Sequence, residues 1–371
     1  MRRLLALAGC ALAATLAIAC ESIIGVDYSD KHLATCQHAE PPGPPGGGDT
    51  GSAVSFTSVV YTIDWGDDSD SAGNPRALTI GYDDDDRCTS LLDAPACEPA
   101  SWTAATMVDG PGGIDNGVGM LLYDQGTYFG LKPFTSSFLT ESTQSGQQAP
   151  PGIIRVTGYS GYAIDAQVTV EWFVPVAPGV KPKWDGTDSW PILNGTADPT
   201  SGGGIVSHFI DRSAFVTNYH LVAHLPVGAP VVISDVPFKT VSMIVTADLV
   251  LPAAGQWQLQ NGIAAGVGLQ SELFDELGAL TASFAGTSDA GIPNAICRNE
   301  TALYAKIKTW LCSHADVLRG SGPACDASSF GMGFTARPGR VGAIAPAAPP
   351  VMYCMPGDDP AGDTCATPPP H

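Results

Sequence analysis

Three stretches of the chain concentrate side chains able to hold a metal ion. DWGDDSDSAGNP (64–75) carries Asp64, Asp67, Asp68 and Asp70, and GYDDDDRC (81–88) carries Asp83 to Asp86 in an unbroken run. DGPGGIDNGVG (109–119) adds Asp109 and Asp115 among five glycines. Calcium takes about six to eight oxygen ligands, and clustered aspartates with carbonyls from glycine-rich turns supply them. The candidate calcium ligands are Asp64, Asp67, Asp68, Asp70, Asp83, Asp85, Asp109 and Asp115. None of the loops is an EF-hand: Ala72 stands where a third oxygen belongs after Asp68 and Asp70, and no glutamate closes the loop. The competing reading is solvated, self-repelling turn residues. In an extended DDDD run, alternate aspartates would point to opposite faces. In the third stretch, Asp115-Asn116-Gly117 also suits the start of a short helix whose apolar residues are Val118, Leu121 and Leu122. Asp115 and Asn116 are therefore read first as caps and second as ligands.

Other chemistry is thinner. His220 and His224 have the spacing of a zincin helix, but Leu221 occupies the place of the glutamate base. The same segment reads as a strand with His220, Val222 and His224 on one face, so the histidines are taken as structural. GYSG (158–161) is one residue short of a GxSxG elbow and no helix follows it. No catalytic residue is assigned. In WDGTDSW, Trp184 and Trp190 form the candidate ligand-binding pair, because exposed aromatics stack on the apolar faces of sugars; tryptophans more often fill cores.

The elements that must position these groups are mostly strands. Residues 54–270 contain short runs rich in β-branched and aromatic residues, broken by Gly, Pro, Asn and Asp. In DAQVTVEWFV, Val168, Val170 and Trp172 alternate with Gln167, Thr169 and Glu171, as in a strand with one buried face. The expected fold is mainly β, an antiparallel sandwich or jelly-roll-like body. Helical spacing then appears in SELFDELGALTASF and in ALYAKIKTWLCSHADVL, with Asn299 as N-cap of the second. Residues 271–339 are read as a helical segment packed on the body, and 340–371 as a Pro/Ala-rich irregular tail. Residues 20–53, with EPPGPPGGGDTGSA, form a Pro/Gly-rich tether.

Cys36, Cys88, Cys97, Cys297, Cys312, Cys325, Cys354 and Cys365 follow the leader, an even set that fits up to four disulfides in an exported chain. Spacing suggests Cys88 with Cys97, one or two bridges stapling the second helix to the sheets, and a loop closed by Cys354 and Cys365. No CxxC pair is present.

The leader sets the compartment. Arg2 and Arg3 precede an apolar run from Leu4 to Ala19, too short for the roughly 20 residues of a spanning helix. LAIAC, with Ala17 and Ala19 before Cys20, resembles the lipobox of bacterial lipoproteins. The resemblance implies a signal peptide over 1–19, acylation of Cys20 by diacylglyceryl and fatty acyl (palmitate-type) chains, and anchoring to the envelope. Leu7-Ala8-Gly9-Cys10 also resembles a lipobox, but leaves only Leu4 to Gly9 as the apolar core, so Cys20 is preferred. Glu21, where inner-membrane lipoproteins commonly carry aspartate, points to the outer membrane. CESIIGVDYSDKHLATC, DGPGGIDNGVG, GIIRVTGYSG, WQLQNGIAAGVG and CDASSFGMGFTA together resemble a group of exported lipoproteins of high-GC Gram-negative soil bacteria, to which no activity is attached.

A net charge of −20 argues against nucleic acid, whose phosphates need a basic surface, and against an electrostatic grip on anionic lipid. Bound divalent cations are compatible with it. The resulting expectation is a lipid-anchored surface module that binds a glycan or an envelope protein with calcium as its cofactor. The alternatives are a purely structural envelope lipoprotein and an extracellular hydrolase.

Overall fold

A computed structural model describes residues 37–47, 54–89, 95–103, 108–128, 135–253, 255–284, 297–298, 301–347, 354–355 and 357–369. Cys20, Cys36 and Asn299, and with them the acylation, the cap and most of the tether, lie outside the described residues. Fourteen strands run along the described chain: β1 (Val54–Asp64), β2 (Ile153–Tyr159), β3 (Asp165–Phe173), β4 (Ser189–Ile192), β5 (Ala197–Pro199), β6 (Ile205–Ser207), β7 (Phe209–Thr217), β8 (His220–Leu225), β9 (Pro230–Ile233), β10 (Val236–Lys239), β11 (Ser242–Val250), β12 (Gln258–Leu269), β13 (Ala327–Pro338) and β14 (Arg340–Ile344). The helices are α1 (Gly117–Tyr128), α2 (Ser136–Ser145), α3 (Gln270–Phe284) and α4 (Thr301–Ser313).

Eight strands close into a barrel in the order β1-β2-β3-β7-β8-β11-β12-β13 and back to β1. Every neighbouring pair is antiparallel. The order around the barrel is the order along the chain, so this is an up-and-down barrel with insertions between strands. The expected sandwich is corrected. Period-two alternation is common to both architectures, and only the pairing of β1 with β13, from Ser58 opposite Pro338 to Asp64 opposite Gly333, tells them apart.

An eight-stranded barrel has an interior that side chains can just fill. Trp172, Tyr159, Phe330 and Phe334 fill it here, with Ala214, Ala223, Ala247, Ala264 and Ala336 leaving them room. Val168, Val170 and Trp172 share this core, as their alternation requires. Each large side chain so buried contributes about 1.5–3 kcal/mol. The outer face is polar in places, with Arg155 opposite Glu171 and a 2.6 Å bond between Nη2 and Oε1. No helix among the described residues is long and apolar enough to cross a membrane.

The insertions depart from the sequence reading. α2 falls within the stretch read as strand, whereas α1 begins at Gly117, where Asp115-Asn116-Gly117 suits a helix start. α2 is capped by Thr135, which accepts from the Phe138 N–H at 3.3 Å, and ends at Gly146 in the left-handed region. Its sequence, SSFLTESTQS, has too few apolar residues to announce a helix. Within 271–339, α3 and α4 are helical, but β13 is a strand of the barrel. Phe330, Met332, Phe334 and Ala336 point inward while Ser329, Gly331, Gly333 and Thr335 alternate with them.

The disulfides also differ. Cys97 pairs with Cys325, Cys297 with Cys354 and Cys312 with Cys365. Cys88 is in a disulfide whose partner lies outside the described residues, so a Cys88–Cys97 bridge does not form. Cys354 and Cys365 do not pair with each other; they tie the tail to the segment before α4 and to α4 itself. Sequence proximity misleads because the barrel brings residue 97 beside the strand that follows residue 325.

Candidate cation site

Residues 76–89 and 108–116 lie side by side against the outer face of β11 to β13. The Asp109 N–H donates to the Thr89 carbonyl at 3.2 Å, and the Asp115 N–H to the Tyr82 carbonyl at 2.9 Å. Tyr82 in turn bonds through its hydroxyl to Thr246 Oγ1 on β11 at 2.8 Å. The pairing requires Gly113, whose φ is +74°; a Cβ there would sit 2.4 Å from the Arg87 carbonyl and 2.5 Å from Asp83 Oδ2.

Asn116 locks this layer to the barrel. Its Oδ1 accepts from the Gly119 N–H at 2.9 Å, which makes it the N-cap of α1. The same oxygen accepts from the Gly331 N–H, and Nδ2 donates to the carbonyls of Ala77, Ile80 and Gly331. The cap is thus Asn116 alone. Asp115, read first as a cap, instead turns its carboxylate away and accepts from the Asp84 N–H at 2.8 Å.

That turn creates an acidic cluster. One oxygen each from Asp83, Asp85 and Asp115 lies within 4.8 Å of the others. Calcium–oxygen distances of about 2.3–2.6 Å allow a single ion to touch all three. The Asp83 side chain is 1% exposed and Asp115 is 2% exposed. Asp84 contributes a buried Oδ2 with no hydrogen-bond partner. Asp109 is anchored by the Thr89 N–H, and Asp316, after α4, by the backbone and hydroxyl of Ser329 on β13. Among the described residues, Asp85, Asp109 and Asp115 make no ion pair; Asp83 pairs with His38, whose imidazole it holds above its usual range.

The electrostatics follow from packing so many carboxylates together. Burial, and then repulsion from Asp316, Asp85 and Asp109, pushes Asp115 up to about 10. Burial also raises Asp84 to about 8, with Asp316 adding to it, and Asp109 to about 7. Asp85 and Asp316 rise to about 6 for the same leading reason. A divalent ion would replace these protons and relieve the repulsion. A second grouping of His38, Asp83 and Cys88 does not offer a thiolate, because Cys88 is disulfide-bonded.

Of the candidate ligands, Asp83, Asp85, Asp109 and Asp115 are brought together. The other four are not. Asp64 and Asp68 pair with Arg76, Asp67 accepts from the backbone and hydroxyl of Ser136 at the start of α2, and Asp70 accepts from Ala72, Asn74 N and Asn74 Nδ2. They shape turns. Asp316 was missed: it is a single aspartate after a helix, and only the fold brings it to the cluster.

Trp184 and Trp190 are corrected too. Trp190 is 1% exposed, and its ring packs 5.0 Å from that of Trp184 in a small core with Phe173 and Ile192 outside the barrel. His220 pairs with Asp248 at 2.7 Å and His208 with Asp198 at 2.9 Å, so the histidines do not converge on one site.

Comparison of the chain with protein-family models, with curated proteins and with solved structures found no match.

Proposed function

We propose that the chain is an exported, lipid-anchored binding module whose barrel carries a calcium ion between Asp83, Asp85 and Asp115, with Asp84 and Asp109 at its margin. The observation that carries the calcium reading is the convergence of three carboxylate oxygens, two of them on side chains almost wholly buried, with no lysine or arginine paired to them among the described residues. Buried carboxylates are costly unless paired or bound to a metal. Hard oxygen donors in a glycine-rich turn favour calcium over zinc, which takes nitrogen and sulfur. The LAIAC leader and Glu21 support acylation at Cys20 and the outer membrane, and the disulfides fit an oxidising compartment.

Titration calorimetry of the mature chain, stripped with chelator, tests the ion. Saturable binding with a rise in melting temperature is expected. Asp115→Asn should remove both while leaving the stripped protein folded. Identical melting with calcium and with chelator would end the calcium reading. Metabolic labelling with a tagged fatty acid tests the anchor: wild type should take up label, and Cys20→Ser should not.

A further inference from the structure

The β2–β3, β7–β8 and β11–β12 hairpins turn at the same end of the barrel, opposite the end where Asp316 bonds to Ser329 near the start of β13. Backbone hydrogen bonds join their tips. The Tyr219 N–H donates to the Ala163 carbonyl at 2.9 Å, and the Leu249 N–H to the Tyr219 carbonyl at 2.7 Å. On this joined rim stand Tyr162, Ile164, Tyr219 and Leu251, exposed by 61%, 42%, 46% and 52%. Among the described residues, the other exposed large apolar side chains are Val180, Val227, Leu318 and Met355, each on a separate segment away from this rim. Exposed apolar residues scattered singly are ordinary, whereas a contiguous group marks a contact surface.

The rim is also uncharged. The chain carries 37 acidic residues, yet SGYAI (160–164), Asn218-Tyr219 and LPAAGQW (251–257) hold no acidic or basic side chain. Asp165, at the foot of the first hairpin, is buried and accepts from the Ser160 N–H at 2.7 Å. Asp248, at the foot of the third, is held by His220 and Asn261. Tyr219 in addition sits where a large residue is strained. Between the paired Thr217 and His220, Asn218 and Tyr219 have φ of +51° and +62°. That is the pattern of a two-residue hairpin turn whose second position ordinarily takes glycine. A bulky residue with such a φ is strained. Glycine would make the same backbone bonds, and a half-exposed ring recovers little of the strain through burial.

We propose that this rim dips into the interfacial layer of a lipid bilayer, with Tyr162 and Tyr219 at headgroup depth and Ile164 and Leu251 against the acyl boundary. Tyrosine, with an apolar ring and a polar tip, is enriched at that depth. Anionic headgroups repel an acidic protein, and an uncharged rim is the part of its surface that can approach them. The choice of a bilayer as partner rests on the anchor proposed at Cys20. The residues from Cys20 to Gln37 reach up to about 60 Å when extended. That is about twice the length of β3, whose nine residues span roughly 30 Å. An anchored barrel can therefore turn its rim to the same bilayer.

The mature chain carrying Cys20→Ser tests the rim without acyl chains. It is mixed with phosphatidylcholine vesicles and with phosphatidylethanolamine–phosphatidylglycerol vesicles in excess, and co-flotation is measured. Both should carry the protein, and high salt should not release it, because apolar area and not charge makes the contact. Ile164→Ser and Leu251→Ser should each weaken binding roughly fivefold, as expected for partial burial of one aliphatic side chain. Tyr219→Gly separates this role from a structural one: it should raise the melting temperature by relieving the turn, yet weaken flotation. Absence of flotation with either vesicle overturns the proposal, and so does binding that survives the three substitutions together or is lost in high salt. Capture of an envelope protein through these residues without flotation overturns it as well. Fatty-acid labelling of the wild type reads the anchor separately, so failure of the anchor and failure of the rim are distinguishable.

Discussion

Asn116 and Gly331, 215 residues apart, exchange two hydrogen bonds: Gly331 N–H to Oδ1 at 2.8 Å, and Nδ2 to the Gly331 carbonyl at 3.1 Å. A side-chain amide here imitates a strand edge. It pairs with the edge of β13 that β1 leaves uncovered beyond Gly333 while capping α1, and so fixes the turn that aims Asp115 into the acidic cluster.

Asn116→Ala removes the cap and leaves buried backbone groups of Ala77, Ile80, Gly119 and Gly331 without this partner. A cap alone is worth about 0.5–2 kcal/mol and each buried unsatisfied group costs about 1–3 kcal/mol. The expected loss is about 3–5 kcal/mol, measured by denaturant unfolding, with calcium affinity falling as well. A loss under about 1 kcal/mol would show that water replaces the amide.

Gly331→Ala should be as damaging for a steric reason. A Cβ at this position would lie 2.0 Å from the Ile80 carbonyl oxygen, a backbone atom that cannot swing aside. Gly158→Ala, at a position with open space but φ of +78°, should cost only backbone strain, about 1–3 kcal/mol. Comparing the two melts separates contact from conformation.

The acidic cluster gives a pH dependence of defined sign. Asp85, Asp109, Asp84 and Asp115 hold their protons to about 6, 7, 8 and 10 in the fold, against an ordinary aspartate value of 3.8. Between about pH 4 and these values the folded state binds more protons than the unfolded state, so stability must fall as pH rises. The stripped protein should therefore melt lower at pH 8 than at pH 5. Calcium competes with the same protons, so its affinity should rise from pH 6 to pH 8 and binding should release protons. Calorimetry in buffers of different ionisation enthalpy measures that release.

Asp115→Asn isolates this effect. At neutral pH the apo carboxyl of Asp115 is protonated, and an amide of similar shape stands in for it. Apo stability at pH 7 should change by less than about 1 kcal/mol while the calcium-induced rise in melting temperature disappears. Retention of that rise would move the ion away from Asp115.

At the far end of the chain, Lys308 is 2% exposed and its Nζ lies 2.8 Å from Asp363 Oδ1, with Tyr304 bonded to the other oxygen. Asp363→Ala leaves a buried ammonium unpaired and should cost about 3–5 kcal/mol. Lys308→Met should cost less, because its hydrocarbon replaces the stem and Asp363 keeps the tyrosine hydroxyl. Urea unfolding of the two variants checks the order.

Much of this was readable before the fold was known, and for definite reasons. Asp83, Asp85, Asp109 and Asp115 carry the same cue, aspartates beside glycines, as Asp64, Asp67, Asp68 and Asp70, and only the fold separates the two sets. Val168, Val170 and Trp172 announced a buried strand face through their alternation. β13 obeys the same alternation, but Ser, Gly and Gly on its outer side give no β-branched or aromatic strand signal, and the segment falls within 271–339, read as helical. Gly331 is small because the Ile80 carbonyl and Asn116 press against it, Gly333 faces Asp64, and Ser329 bonds to Asp316 and to the Gly117 N–H. Asp316, the Cys97–Cys325 bridge and the burial of Trp190 depend on contacts between residues far apart in sequence, and no local spacing encodes those.

The meander order of the barrel has a consequence for how the chain comes to be folded. β1 is the first strand made and β13 the last of the ring, so closure waits until nearly the whole polypeptide is available. Until then β1 and β12 are open edges, able to pair with strands of other molecules. Such long-range pairing is slow, since loop entropy is lost before the contacts form. The acidic cluster borrows Asp316 and the outer face of β13, so it too is complete only at that last step. A calcium signal acquired late in refolding, together with closure, would time the moment at which the molecule ceases to be prone to aggregation.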